Sequence, residues 1–349
     1  MTEVGKVRLG VIGAGWFVSR RHLPDAMKIE EVEIAALCRR DDAARNAMCA
    51  HFGVAEEHGF ADWGRMLKES SLDAVLIATP NSQHYEQAKA SLEAGLHVLI
   101  EKPMTLRGDH ARELVALAKE KNLTLSVALN PPFWAHCHRM RRAVQEGKLG
   151  EIESVSLFWS GSASHLFGKV ARPSALPGVV PPTDYRGDAV LNGGGYFADG
   201  GPHLVSTILW VSGLRATRIT ALMDETPADM RSTIAIELEN GAVATINAIG
   251  NSAFEARRVR NVFGGSGGTM TVDGFDFDTQ ILIPGQENLR FKEGDLLPVD
   301  TPLGNFSKAI LHKAELYSPA EHGAHVVEVT EAIYKSASTG RTVTLRDER

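Results

Sequence analysis

Val7-Arg8-Leu9-Gly10-Val11-Ile12-Gly13-Ala14-Gly15-Trp16-Phe17 decides the fold: an apolar strand-like run ends directly in a glycine turn. Gly13-x-Gly15 in that position supplies the tight turn and close backbone approach that a pyrophosphate needs, and the helix expected to follow offers amides and a positive dipole end. Trp16 and Phe17 stand beside the turn and are counted with Gly13 and Gly15 as candidate cofactor contacts. The third place of the fingerprint holds Val18, not Gly or Ala.

Working outward, Val7 to Ile12, Ile34 to Cys38, Ala74 to Ala78, His97 to Ile100 and Leu123 to Ala128 read as strands alternating with helical patterns. Such alternation predicts a parallel sheet with crossover helices. Ala111, Leu114, Val115 and Ala118 recur at helical spacing, one apolar stripe able to cover a sheet face. After Pro131-Pro132 the rhythm changes. A polar helix through Arg139 to Glu146 precedes a long strand, Ile152 to Trp159, and Thr217 to Met223, Ser232 to Leu238 and Ala242 to Ile249 read as antiparallel neighbours, the last two joined at Asn240-Gly241. Gly264 to Gly268 precedes a strand pattern, which makes it a sheet turn and not a phosphate loop. The fold class is therefore α/β: an N-terminal Rossmann domain over residues 1–129 and a C-terminal α+β domain over 130–349 built on a large, mainly antiparallel open sheet.

At 349 residues two domains are expected. A formal charge of −6 offers no basic surface for nucleic acid, and no apolar stretch reaches the roughly 20 residues that would span a bilayer. Three cysteines in no zinc-like or disulfide-like pattern suit a reducing compartment, and the N-terminus lacks the apolar core of a signal peptide, so a cytoplasmic location is expected. The partner implied is a small molecule.

The end of the second strand, where an acidic residue would bind a ribose 2′-hydroxyl, carries Arg39 and Arg40. A guanidinium can pair with a 2′-phosphate, so NADP is favoured over NAD; the alternative is that both arginines are solvated surface charges while Asp41 or Asp42 caps the next helix or reaches the ribose. Thr79-Pro80-Asn81 follows the strand Ala74 to Ala78, where Pro80 keeps Thr79 extended and polar groups can face the nicotinamide ribose. Glu101-Lys102-Pro103 follows another strand, and a lysine at a strand's carboxyl end lies within reach of a nucleotide seated there. Asp199 and His203 share a helix face if 196–210 is helical, with Pro202 able to kink it between them. Gly193-Gly194-Gly195 just upstream permits close approach to backbone. The Gly-, Pro- and Ser-rich stretch from Ser160 to Gly195 is placed at the substrate, and Asn130, Tyr185, Arg186 and Asn192 are candidate contacts for substrate hydroxyls. His136-x-His138 makes a poor pair of co-ligands, and no metal is expected.

In this order, Gly13-Ala14-Gly15, Ala78-Thr79-Pro80-Asn81 with His84, Glu101-Lys102-Pro103, Gly193-Gly194-Gly195, Asp199-x-Gly201-x-His203 and the ending Glu331-Ala332-Ile333-Tyr334 resemble the Gfo/Idh/MocA family of nicotinamide-dependent sugar and cyclitol oxidoreductases. The resemblance runs through nearly the whole chain. It departs at Val18, at Ser206 where the family often has an acid, and at Pro131-Pro132 where it often has an arginine. It implies hydride transfer between NAD(P) and a secondary alcohol or ketone of a sugar, cyclitol or polyol, with Asn130, His84 and Glu101 joining the cofactor set and Lys102, Asn130, Asp199 and His203 the substrate set. It also implies a homo-oligomer, dimer or tetramer. Lys102, His203 and Asp199 are the candidate catalytic residues, with the base assigned to either His203 or Lys102. Two other functions are compatible with the scaffold: an NAD-dependent glycosidase working through transient oxidation, and a non-catalytic nucleotide-sensing regulator.

Overall fold

The computed structural model describes residues 5–163, 167, 179–224, 229–253, 258–274 and 276–345. Its contacts group the chain into two compact units, one of Met1–Ala128, Ala171–Arg186 and Asp300–Ala324, the other of Leu129–Val170, Gly187–Val299 and His325–Arg349.

In the first unit β1 (Val7–Ile12), α1 (Leu23–Ala26), β2 (Val32–Cys38), α2 (Asp42–Phe52), β3 (Gly59–Phe60), α3 (Trp63–Glu69), β4 (Ala74–Ile77), α4 (His84–Glu93), β5 (His97–Ile100), α5 (Gly108–Glu120) and β6 (Leu125–Val127) follow one another. The strands form a six-stranded parallel sheet in the order β3-β2-β1-β4-β5-β6, so the order reverses between β1 and β4. That reversal opens the crevice in which doubly wound sheets bind nucleotides. Every residue of β4 is fully buried, as expected of a strand covered on both faces. Ala111, Leu114 and Ala118 of α5 are buried on one stripe. Asp41 caps α2 by accepting from the Ala44 N–H at 2.7 Å, and Asp62 caps α3 from Arg65 N–H at 2.8 Å. The sequence reading missed β3, whose two residues carry no periodicity.

The second unit contains α6 (Ala135–Gln145), β7 (Ile152–Ser160), α7 (Ala189–Asn192), α8 (Tyr196–Ser212), β8 (Ala216–Met223), β9 (Arg231–Leu238), β10 (Val243–Ile249), β11 (Arg258–Gly265), β12 (Gly268–Gly274), β13 (Asp278–Leu282) and β14 (Leu289–Phe291). After α9 (Pro302–Ile310), which belongs to the first unit, come α10 (Ala320–Thr339) and β15 (Val343–Thr344). The nine-stranded sheet runs β14-β13-β12-β11-β7-β10-β9-β8-β15. Its described pairs are antiparallel except β7 with β10. Burial alternates along β9, so one sheet face is covered, and α8 packs against β7 and β10. Ser266-Gly267 turns β11 into β12, as the glycine run suggested.

A single cut at residue 129/130 does not describe this division. Leu303 and Phe306 of α9 are buried in the same core as Val7, Leu9 and Leu76, and Val180 packs against it. The first unit's sheet thus completes its core with residues from two distant stretches. No helix among the described residues is long and apolar enough to cross a membrane.

Candidate active site

The strand register fixes what the first unit brings together. Ile12 pairs with Ile77, Ile77 with Ile100 and Ile100 with Val127, so these strands end at one level. Gly13, Ala78-Thr79 and Glu101-Lys102 therefore all leave the same sheet edge. A cleft of about 460 Å³ lies in this unit, lined by Gly13, Gly15, Trp16, Phe17, Arg39, Arg40, Thr79 and Pro80 among others.

Gly13 sits at φ 86°, and a Cβ there would fall 2.7 Å from the Thr79 nitrogen. Only glycine fits such a contact. A Cβ on Gly15 would meet nothing nearer than the Gly13 oxygen at 3.7 Å, so it would stand in the cleft where a pyrophosphate needs the backbone bare. Val18 begins a π-helical turn, Val18–His22, and its side chain is buried. Arg39 donates from Nη1 to the Ala14 carbonyl at 2.9 Å, while its buried Nε has no hydrogen-bond partner among the described residues. Burial lowers the Arg39 pKa, with Asp41 opposing the shift. An unpaired buried guanidinium N–H in a cleft calls for an acceptor from outside the protein. Asp41 is engaged in its cap and Asp42 pairs with Arg45 at 2.6 Å. These residues fit a dinucleotide.

Two loops at this edge are tied together by His84, which is fully buried. Its Nδ1 faces the Pro103 carbonyl at 2.8 Å and its Nε2 the Thr79 carbonyl at 3.0 Å. Burial pushes its pKa down, with the two carbonyls pulling the other way. His84 is thus a brace between the Thr79 and Lys102 loops and not a cofactor contact. Glu101 is also redirected. Its Oε1 lies 2.7 Å from His22 Nε2, and its Oε2 accepts the Lys102 N–H at 3.2 Å. Burial raises the Glu101 pKa, but the His22 hydrogen bond and the charges of His22 and Lys102 outweigh it, leaving the carboxyl below its usual range. The pair holds the backbone of Lys102. Asn81 is buried at the first residue of the turn Asn81–Gln83.

In the second unit α8 runs unbroken through Pro202, so Asp199 and His203 lie one turn apart on it, both partly exposed. Leu204, Val205, Ile208 and Leu209 bury its other side. Asn130 approaches His203 with its backbone N–H 3.4 Å from Nδ1 and its Nδ2 3.4 Å from Nε2. Asn130 therefore lies beside the candidate base. The start of α8 is held by Asp229, fully buried, which accepts from Gly195 N–H at 2.7 Å, Phe197 N–H at 2.5 Å and Tyr334 O–H at 2.8 Å. Burial raises the Asp229 pKa against these donors, and burial with the Asp229 charge raises that of Tyr334. Gly194, at φ 144°, must be glycine because a Cβ would lie 2.5 Å from the Tyr334 oxygen.

Comparison with known proteins identifies the family and the fold. Residues 7–129 match the model of the oxidoreductase family with an NAD-binding Rossmann fold, and residues 137–271 match the Gfo/Idh/MocA C-terminal domain. The chain belongs to the Gfo/Idh/MocA family of oxidoreductases. Over 246 residues it is 31% identical to the dTDP-3,4-didehydro-2,6-dideoxy-alpha-D-glucose 3-reductase of Saccharopolyspora spinosa, covering 68% of this chain and 67% of that one. It is 27% identical over 212 residues to the D-glucoside 3-dehydrogenase of Escherichia coli (strain K12), covering 61% and 56%. Its fold matches that of an inositol dehydrogenase homolog complexed with NAD+ from Azotobacter vinelandii, with a TM-score of 0.83 at 19% identity over 98% of each chain.

Three further residues of this Gfo/Idh/MocA chain stand in places other than those expected. Asn192 is buried and its Nδ2 donates to the Gly194 and Gly195 carbonyls at 2.8 and 2.9 Å, so it shapes the triglycine and does not face substrate. Tyr185 and Arg186 line the first unit's cleft, the guanidinium 4.7 Å above the phenol ring. Within the stretch Ser160 to Gly195, where substrate contacts are expected, residues 164–166 and 168–178 lie outside the described residues. Sequence reasoning also passed over His22, Asp229 and Tyr334. Tyr334 alone carried a signal, as part of the family-like ending, though not one that pointed to α8.

Proposed function

We propose that the protein is an NADP-preferring oxidoreductase that exchanges a hydride with a secondary alcohol or ketone of a sugar, cyclitol or related polyol. The observation that carries the reading is the shared sheet edge: the glycine cradle, the Thr79 loop and Lys102 all leave it at one level, beside a cleft whose Arg39 has a buried donor to spare. The names of the relatives from Saccharopolyspora and Escherichia support a sugar substrate.

A bound nicotinamide supplies the hydride acceptor or donor. The chain's own residues handle binding and the proton. Gly13 and Gly15 admit the pyrophosphate to the backbone, and Arg39 with Arg40 pairs with a 2′-phosphate. His203 takes the hydroxyl proton during oxidation, the part most often played by an imidazole in positioned acid–base catalysis. The Asn130 contacts at 3.4 Å, one from the backbone N–H to Nδ1 and one between Nδ2 and Nε2, are long for hydrogen bonds and orient the ring. Lys102 stabilises negative charge developing on the substrate oxygen, and Asp199 orients His203 or binds a neighbouring hydroxyl.

The test is absorbance at the reduced-nicotinamide band as purified protein meets cyclitols, aldoses and glycosides with NADP and with NAD. Reduction of NADP with at least one of them is expected. Cofactor binding without reduction across the panel contradicts the proposal.

A further inference from the structure

Trp134 stands between the turn Pro131–Phe133 and α6, in an extended conformation at φ −96° and ψ 127°. Its ring centroid lies 6.3 Å from that of His203, tilted by 41°. Trp159 stacks nearly parallel to it at 6.1 Å and 12°, His136 lies at 5.4 Å and 25°, and Phe277 at 5.8 Å and 35°. His136 and Phe277 are stacked in turn at 4.2 Å and 11°. Trp159 and His136 are buried, whereas Trp134 and Phe277 are partly exposed. The cluster is therefore an aromatic panel with a buried backing and an accessible front, beginning beside the candidate base.

Phe277 is the unusual member. Its φ is 53°, a left-handed conformation that bulky residues rarely adopt and that persists only where the surroundings enforce it. Here Thr279 Oγ1 donates to the Phe277 carbonyl at 2.9 Å, and Asp278 accepts from Arg290 through Nε at 2.9 and 3.0 Å and through Nη2. Phe277 ends the turn from β12 into β13, a left-handed place that glycine or asparagine would fill with less strain. Strain of this kind gathers at binding sites.

We propose that Trp134 and Phe277 form an aromatic subsite, continuous with His203, that binds the apolar face of an uncharged second ring, so that the preferred substrate is a glycoside and not a free sugar or cyclitol. This rests on His203 acting on a substrate hydroxyl. A sugar whose hydroxyl lies within about 3 Å of the imidazole reaches the Trp134 end of the panel, and the group it carries reaches Phe277. The C–H face of a sugar or the face of an aryl ring meets the electron-rich face of each aromatic side chain. Charge argues for a neutral ring: Asp276 and Asp278 flank Phe277, and the Arg290 charge is already paired with Asp278, which disfavours a phosphate-linked group.

The test compares kcat/KM with NADP for glucose, methyl glucoside, phenyl glucoside and a glucose disaccharide, both anomers of each glycoside. Quenching of tryptophan fluorescence by phenyl and methyl glucoside is measured alongside, which needs no turnover. Phenyl glucoside or the disaccharide is expected to exceed methyl glucoside by about tenfold, and which of them does so identifies the second ring as aryl or sugar. Phe277→Gly removes the ring while suiting a left-handed backbone, and should bring the ratio to about one; Phe277→Tyr should restore it. A ratio near one in the unaltered protein, or one that survives Phe277→Gly, overturns the subsite. If no polyol is turned over but phenyl glucoside quenches selectively and only with Phe277 present, the subsite stands and the oxidoreductase reading fails. Without turnover and without ring-selective quenching, the subsite is overturned as well.

Discussion

In the first unit the residues that form the nucleotide cleft follow directly on strands that end at one level, whereas in the second the candidate proton-handling residues ride one helix whose start is held from far along the chain. Asp229 reaches Gly195 and Phe197 across 34 and 32 residues, and Tyr334 reaches Asp229 across 105. A parallel sheet places its own loops, so short motifs suffice to mark a site there. An isolated helix has no such edge and depends on buried polar anchors, each of which leaves an unpaired group behind when removed.

The sharpest way to break this contrast is to truncate one candidate group in each unit. Lys102→Ala and His203→Ala should each lower kcat by about 10²–10⁴-fold while cofactor affinity stays near its original value. Loss of cofactor binding in His203→Ala comparable to the loss of turnover would overthrow the division of roles. Next in size, Arg39→Ala should weaken NADP by about 10–100-fold, the worth of a charge-assisted hydrogen bond, and NAD much less. Calorimetric titration with both cofactors checks this; equal losses would remove the 2′-phosphate from the account.

Tyr334→Phe probes the anchor of α8. It leaves the Asp229 carboxylate one donor short and should cost about 1–3 kcal/mol in denaturant unfolding, with kcat falling more than KM rises. A variant unchanged in both would mean that Gly195 and Phe197 amides alone hold the helix.

The smallest effect at neutral pH concerns His136, whose burial pushes its pKa down to about 3. An unfolded histidine takes up a proton near pH 6.5 and the folded one does not, so this contribution is complete above about 6.5 and is lost as pH falls toward 3. His84, also held down by burial, acts with the same sign. His136→Phe keeps a ring against Phe277 and should flatten the fall in stability on acidification, by up to about 1.4 kcal/mol per pH unit. An unchanged slope would show that His136 does not stay neutral in the folded protein.

These cases also show what was legible beforehand. Apolar runs and glycine turns marked five of the first sheet's strands, and the spacing of Asp199 and His203 held because α8 passes through Pro202 unbroken. What escaped was set by long-range packing. Nothing local in Leu303 and Phe306 says that they complete the first unit's core, and a lone Asp229 reads as a surface loop residue until its three donors are seen. Glu101 and His84 lie in motifs that point to a cofactor, yet a pairing with His22 and a pair of carbonyls turn them into supports.

The central claim is hydride transfer from a polyol carbon, and label transfer tests it most directly. A substrate found in the panel, deuterated at every carbon, would be incubated with NADP and the recovered cofactor examined by mass spectrometry. The account predicts reduced cofactor carrying one deuterium, formed in step with the oxidised polyol. Reduced cofactor without the label, or cleavage of a glycoside with no net reduction of the cofactor, would contradict it.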